Sequence, residues 1–128
     1  MKKIQVVGLP GSGKTRGIEL YRDKADHALS LLDFRLFQER YREAAFRRAI
    51  RSQDRDTIAE SACGVYIPGT FVVRIEIPRW KLIENLNSRG DQLDEIYMNY
   101  LLDQTLPADY TVGSPDDLDA TLAFIFKR

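Results

Sequence analysis

The residues best suited to chemistry form one segment near the start of the chain, Gly8-Leu9-Pro10-Gly11-Ser12-Gly13-Lys14-Thr15. It matches the P-loop pattern G-x-x-x-x-G-K-[ST], in which glycines let successive backbone N–H groups point at phosphate oxygens. In such a loop the Lys14 ammonium reaches the β- and γ-phosphates, and the Thr15 hydroxyl ligates Mg²⁺. We therefore expect ATP and Mg²⁺ as cofactors, held by Gly8, Pro10, Gly11, Ser12, Gly13, Lys14 and Thr15.

The segments around the motif provide the strand and the helix that a P-loop requires. Residues 3–7 predict a buried strand, and residues 16–24 predict a helix that extends to about Asp26. Further strands are predicted at residues 28–32, 57–60, 71–77 and 109–112, and further helices at 36–52, 78–86, 92–104 and from 114 or 115 onward. This alternation predicts an α/β protein, a three-layer P-loop NTPase fold with a mainly parallel sheet of about five strands.

Length and composition indicate one globular domain, residues 1–128, with equal numbers of acidic and basic residues. Residues 1–64 carry 13 Lys and Arg against 9 Asp and Glu, so an anionic partner is expected on that half. The lone Cys63 excludes an internal disulfide. The apolar run after Lys3 breaks at Gly8 and Pro10, too early for a signal peptide or a membrane span. We expect a cytoplasmic protein.

The connection between the third and fourth predicted strands is unusually short. Only residues 61–70 separate them, whereas a parallel crossover normally needs a dozen residues or more and a helix. Gly64, Pro68 and Gly69 argue against a helix here. Two alternatives remain at this point: a connection reduced to a loop, or an additional extended piece at residues 64–67.

Two carboxylates follow predicted strands at the edge where open parallel sheets bind ligands. Asp33, after the second strand, can accept the proton of an attacking hydroxyl; its alternative role is to cap the next helix. Glu60, after the third strand, occupies the place of a Walker-B-type carboxylate and is a candidate Mg²⁺ ligand with Thr15.

Several basic residues are candidates for charge neutralisation during phosphoryl transfer. Arg89 follows a predicted helix end and is free to move toward a γ-phosphate, whereas Lys81 is expected on a solvated face. Arg35 could hold an acceptor phosphate. Arg40, Arg47 and Arg51 share one helical face that could follow a nucleic-acid backbone, but interleaved carboxylates favour a solvated face.

The remaining aromatic and imidazole side chains carry no chemical signal of their own. His27 has no Cys or His partner at metal-ligand spacing, which favours a structural role. We expect Trp80 and the pair Tyr97 and Tyr100 to serve in packing rather than in base stacking.

With these residues identified, the chain resembles the small P-loop kinases of the nucleotide and polynucleotide kinase group, and among them the kinase domain of bacteriophage polynucleotide kinase. The similarity lies in the P-loop and in the segment from Ile77-Pro78-Arg79-Trp80 to Asn87-Ser88-Arg89-Gly90, which resembles the segment that leads into the family's lid. It implies that Asp33 is the general base, Arg35 an acceptor-site arginine and Arg89 the lid arginine. Three features depart from the family: Asp33 and Arg35 are closer together, Glu60 replaces an Asp, and the helix that normally joins the third and fourth strands is missing.

Two functions follow from these observations. The first is ATP-dependent phosphoryl transfer to a nucleotide or to the 5′-hydroxyl of a single-stranded polynucleotide, catalysed by Lys14, Asp33, Arg35 and Arg89. The second is a nucleotide-binding regulatory or interaction protein without transfer activity. In either case Gly113 and Ser114, after the last strand, are expected to contact the purine through backbone groups, with a weak preference for ATP over GTP.

Overall fold

A five-stranded parallel sheet forms the centre of the molecule in the computed structural model, which describes residues 2–21 and 27–127. The elements follow in the order β1 (Lys3–Val7), α1 (Lys14–Tyr21), β2 (His27–Ser30), a 3₁₀ turn (Leu31–Phe34), α2 (Glu39–Arg51), β3 (Thr57–Ser61), β4 (Phe71–Ile75), α3 (Arg79–Ser88), α4 (Glu95–Gln104), β5 (Tyr110–Val112) and α5 (Pro115–Phe126). The strand order across the sheet is β2-β3-β1-β4-β5. The predicted α/β fold is therefore confirmed.

Side chains of the central strand alternate between the two faces of the sheet, as the two-residue repeat of a strand dictates. Ile4 and Val6 of β1 pack on the face covered by α1 and α5, in a cluster with Ile18, Leu118 and Leu122. We call this the α1–α5 face. Gln5, also almost fully buried, points to the opposite face.

The opposite face is covered by α2, by the connection between β3 and β4, and by the helix pair α3–α4; we call it the α2–α4 face. Phe46 and Ile50 of α2 pack against Val65 and Ile67 of the connection. The helix pair forms a separate cluster around Leu82, Leu86, Met98 and Leu101, which rests on Leu9, Ala62 and Cys63. Three layers result, and α3 lies directly against the loop that follows β1.

The connection between β3 and β4, residues 62–70, is a loop with neither helix nor strand, which confirms the first of the two alternatives. The buried side-chain amide of Gln5 holds it by donating to the Val65 carbonyl at 2.7 Å and accepting from the Val65 N–H at 2.9 Å. The same amide donates to Thr70 Oγ1 at 3.2 Å. Gln5 thus provides the polar partners that a buried loop needs.

Several predicted boundaries were wrong. β2 ends at Ser30 instead of reaching residue 32, because the Asp33 carboxylate accepts the Ser30 N–H at 3.0 Å and curls the chain into the 3₁₀ turn. Asp33 therefore caps no helix, and α2 begins at Glu39. Helix α4 begins at Glu95 rather than near Gln92, because its cap is Asp94, which accepts the Tyr97 N–H.

Other predictions were accurate. β3, predicted at residues 57–60 and found at Thr57–Ser61, pairs along its whole length with β1 and over four residues with β2. Pro78 precedes α3, and Ser114 caps α5 by accepting the Asp117 N–H at 3.1 Å. The first helix is described from Lys14 to Tyr21, and its predicted extension over residues 22–26 lies outside the described residues.

Candidate active site

The P-loop has the backbone conformation that its glycines permit. Gly11 and Gly13 adopt φ values of 86° and 90°, which side chains with a Cβ rarely reach. A Cβ on Gly11 would lie 3.0 Å from Leu86 of α3, and the Asn85 side-chain amide donates to the Gly11 carbonyl at 2.8 Å. Helix α3 thereby fixes the loop from behind.

Lys14 and Thr15 occupy the first turn of α1, where backbone N–H groups and the helix dipole favour anions. Thr15 Oγ1 donates to Glu60 Oε2 across 3.4 Å, so the two side chains predicted to bind Mg²⁺ lie next to each other, and their role as ligands stays a prediction. Burial lowers the pKa of Lys14, the Glu60 carboxylate opposes that shift, and the nearby Arg89 guanidinium adds to it. Glu60 and Arg89 thus lie close enough to Lys14 to affect its pKa.

A cleft of about 1020 Å³ opens at the carboxyl edge of the sheet. Among the described residues that line it, the basic ones outnumber the acidic ones by six to two. They are Lys14, Arg16, Arg35, Arg42, Lys81 and Arg89 against Glu60 and Asp116. This surplus of positive charge suits a ligand with several phosphates.

Most of the predicted site residues meet in this cleft. They are Pro10, Gly11, Ser12, Gly13, Lys14, Thr15, Arg35, Glu60, Arg89, Gly113 and Ser114. Gly8 does not line this cleft; it lines a second cavity of about 180 Å³. A Cβ added to Gly8 would lie 2.6 Å from Ser12 Oγ.

Asp33 does not line the cleft. It is exposed, and one carboxylate oxygen is engaged with the N–H of Ser30, a residue of the cleft wall. Its role as a base remains a prediction.

The other basic side chains are partly engaged. Arg89 donates to Asp91 at 2.8 Å, Lys81 pairs with Glu84 at 3.1 Å, and Arg79 pairs with Glu95. All these pairs are exposed, where an ion pair contributes about 0–1 kcal/mol. Arg89 can therefore leave Asp91 for a phosphate at little cost.

Several residues of the cleft were not among the predicted site residues, and Arg42, Trp80 and Tyr97 are three of them. Arg42 Nη2 donates to the carbonyls of Arg35 and Phe37 at 3.2 and 3.4 Å, which fixes its guanidinium against the start of α2. Trp80 is 66% exposed, Tyr97 is 49% exposed and Tyr100 is 59% exposed, so the expectation that these rings serve mainly in packing was wrong. The sequence signal that could have placed Trp80 in the cleft was its position, three residues after the predicted end of the fourth strand.

The arginines of α2 differ in their contacts. Arg47 pairs with Glu43 at 3.2 Å and donates to the Tyr66 carbonyl, as expected for a solvated face. Arg40 lies over the ring of Tyr41 at 4.6 Å.

Within the described part of the chain, every helix is too short or too polar to cross a bilayer.

The comparisons with known proteins give a likeness of fold. No protein-family model matches the chain, and a search of the curated proteins finds no match. Among solved structures, a shikimate kinase from Bacteroides thetaiotaomicron aligns over 99% of this chain and 99% of its own, with a TM-score of 0.68 and 12% identity. A gluconokinase from Sinorhizobium meliloti 1021 aligns over 98% and 95%, with a TM-score of 0.67 and 14% identity.

A shikimate kinase from Acinetobacter baumannii, solved in complex with shikimate, aligns over 99% of this chain and 94% of its own, with a TM-score of 0.66 and 18% identity. At identities this low, the similarity establishes the fold alone. The chain has the five-stranded parallel α/β fold of these small P-loop kinases. The finer resemblance to bacteriophage polynucleotide kinase stays a prediction.

Proposed function

We propose that this protein is a P-loop kinase that transfers the γ-phosphoryl group of ATP to the hydroxyl of a nucleotide or of a polynucleotide 5′ end. One observation carries the proposal. Lys14, Thr15, Glu60 and Arg89 meet in one basic cleft at the carboxyl edge of a parallel sheet. The structural neighbours, which include shikimate kinase and gluconokinase, support phosphoryl transfer as the reaction class.

The residues of the P-loop fit the triphosphate and its metal. The backbone of Gly11 to Lys14 would bind the phosphates, and the oxygens of Thr15 and Glu60 would hold Mg²⁺, a cation that prefers oxygen ligands. Bound Mg²⁺ would neutralise charge on the β- and γ-phosphates.

In the reaction, the acceptor oxygen bonds to the γ-phosphorus as the bond to the β–γ bridging oxygen breaks, and ADP leaves. Lys14 and Arg89 stabilise the negative charge that spreads over the transferred group. Arg35 and Arg42 lie on the part of the cleft formed by the start of α2, where they can bind an anionic acceptor.

Asp33 is the proposed base, which takes the proton of the acceptor hydroxyl. Its Oδ2 accepts the Ser30 N–H, and Ser30 lines the cleft, so the carboxylate is one hydrogen bond away from a cleft-lining residue. A carboxylate has a second oxygen, and Oδ1 is the atom that would accept the proton.

The test is transfer of labelled phosphate from ATP to nucleosides, nucleotides, 5′-hydroxyl oligonucleotides, shikimate and gluconate. We expect labelling of a nucleotide or an oligonucleotide, and a loss of about 100-fold or more in kcat for Asp33→Asn with ATP affinity kept. Asp109→Asn is the matched control outside the cleft. If ATP binds and none of these acceptors is labelled, the acceptor assignment is wrong.

A second candidate function is a nucleotide-dependent regulatory protein without transfer activity. The position of Asp33 outside the cleft favours it. A regulator would lose partner binding with Lys14→Ala and be indifferent to Asp33→Asn. A kinase would lose turnover with both variants.

The base site is proposed at Gly113 and Ser114, which line the cleft after β5. The Ser114 hydroxyl caps α5 by accepting the Asp117 N–H, and the backbone groups of Gly113 and Ser114 are the proposed contacts to the purine. Such contacts predict a modest preference for ATP. Competition binding that favours GTP by more than about tenfold, which is roughly 1.4 kcal/mol, would mean that the base binds elsewhere.

A further inference from the structure

Two large aromatic side chains are exposed inside the cleft. Trp80, in the first turn of α3, and Tyr97, in the first turn of α4, both line it. In the part of the chain that the structure describes, neither ring stacks on another ring or on a cation. Exposed aromatic surface of this size in a binding cleft is typical of a platform for a flat ligand group.

The fold separates these rings from the expected site of the ATP base. Gly113 and Ser114 lead into α5, which packs on the α1–α5 face of the sheet. Trp80 and Tyr97 belong to the helix pair on the α2–α4 face, whose core rests on Ala62 and Cys63 of the β3–β4 connection. The rings therefore belong to the side of the cleft that also carries α2.

The charges on that side complement a nucleic-acid strand. Arg42 lines the cleft beside the backbone of Arg35, and in the described part of the chain its guanidinium contacts carbonyls and no carboxylate. Arg35, which precedes α2, also lines this cleft. Aromatic rings combined with a basic groove are the features with which proteins bind single strands.

We propose that Trp80 and Tyr97 stack on the base at the 5′ end of a single-stranded acceptor, while Arg42 binds the phosphate that follows it. The inference rests on the proposed transfer to a 5′-hydroxyl, and it assigns the residues that recognise the acceptor. Neither ring takes part in the chemical step.

Trp80 is the only tryptophan of the chain, so its fluorescence reports on this position without a label. The P-loop is filled with Mg²⁺ and tripolyphosphate, which carries no base. A 5′-hydroxyl oligothymidylate is then titrated beside an oligonucleotide of equal length whose 5′-terminal residue has no base. We expect quenching by the first, and weaker binding with little quenching by the second.

Variants separate stacking from a general effect on the cleft. Trp80→Ala should weaken oligonucleotide binding about 5- to 150-fold, measured by anisotropy of a labelled strand, and Trp80→Phe should restore most of the affinity. Tyr66→Ala is the matched control, because Tyr66 is 71% exposed and does not line the cleft. The KM for oligonucleotide should rise in Trp80→Ala with kcat nearly unchanged.

Three results would overturn the inference: equal binding of the intact and the abasic strand, no binding of either strand, or quenching by ATP but not by the oligonucleotide. The last result would assign Trp80 to the donor base. These binding measurements do not need turnover. Loss of the proposed kinase activity with stacking intact would therefore refute only the function, and equal phosphorylation of both strands would refute only the stacking.

Discussion

Replacement of Gln5 by methionine tests whether one buried amide holds the β3–β4 connection. Methionine nearly preserves the side-chain volume, so the change removes hydrogen bonds without leaving a large cavity. The Val65 N–H and C=O then lose their partner in the interior, where Gln5 is 1% exposed and Val65 is 3% exposed. We expect the fold to persist and its stability to fall.

The magnitude follows from the two orphaned groups. Each unsatisfied buried backbone group costs about 1–3 kcal/mol, which gives roughly 2–6 kcal/mol for the pair. Domains of this kind have a free energy of unfolding of about 5–15 kcal/mol, so the loss is a large part of the total. With an m-value near 2 kcal/mol/M in urea, the midpoint should fall by about 1–3 M.

The assay is urea unfolding followed by circular dichroism, with Gln92→Met as the control because Gln92 is exposed in the loop between α3 and α4. Gln5→Glu adds a second measurement. A buried carboxylate cannot donate to the Val65 carbonyl until it is protonated, so this variant should recover stability relative to wild type as the pH falls. A loss below about 0.5 kcal/mol in Gln5→Met would refute the reasoning.

Three further predictions concern stability. Lys14→Met should abolish ATP binding in calorimetry yet raise the stability at neutral pH by about 1 kcal/mol, since burial lowers the pKa of Lys14 in the folded state. The unfolded chain holds the Lys14 proton more tightly than the folded protein does. Wild type should therefore gain stability as the pH rises from the folded-state pKa of Lys14 toward 10.5, and the variant should lack that rise. Lys127→Gly should raise the melting temperature by about 4 °C, because Lys127 ends α5 at a φ of 57°; Lys127→Ala, which keeps a Cβ, should bring no such gain. Ser114→Ala should cost about 1 kcal/mol through loss of the α5 cap, and an unchanged urea midpoint would contradict that role.

The sequence predicted the order of the elements because local signals carry it. The P-loop motif, the apolar runs of the strands and the start of α5 near Ser114 are signals that act over a few residues, and the elements they predict occur in the predicted order. The P-loop also located the cleft, since its position at the end of β1 follows from its motif.

What the sequence did not reveal depends on contacts between distant residues. β2 ends early because the Asp33 carboxylate accepts a hydrogen bond from the Ser30 N–H, and the apolar periodicity of the segment does not predict this bond. The exposure of Trp80 depends on how α3 packs against Leu9 and Gly11, a contact between distant residues that cannot be predicted from the composition of the segment. A glutamine in a β-strand gives no local sign that its partner is Val65, sixty positions away.

The short β3–β4 connection is also a place where additional residues could be inserted. Its exposed tip at Pro68 and Gly69 is open, since a Cβ on Gly69 would meet nothing within 4 Å. Each doubling of a flexible loop raises its closure entropy by only about 0.6 kcal/mol, so a fourfold longer connection costs about 1.2 kcal/mol. Provided that Val65 and Ile67 keep their buried places, a whole accessory segment can be inserted there. The molecule thus has an insertion point in a connection that packs on the α2–α4 face, the face that also carries the helix pair α3–α4.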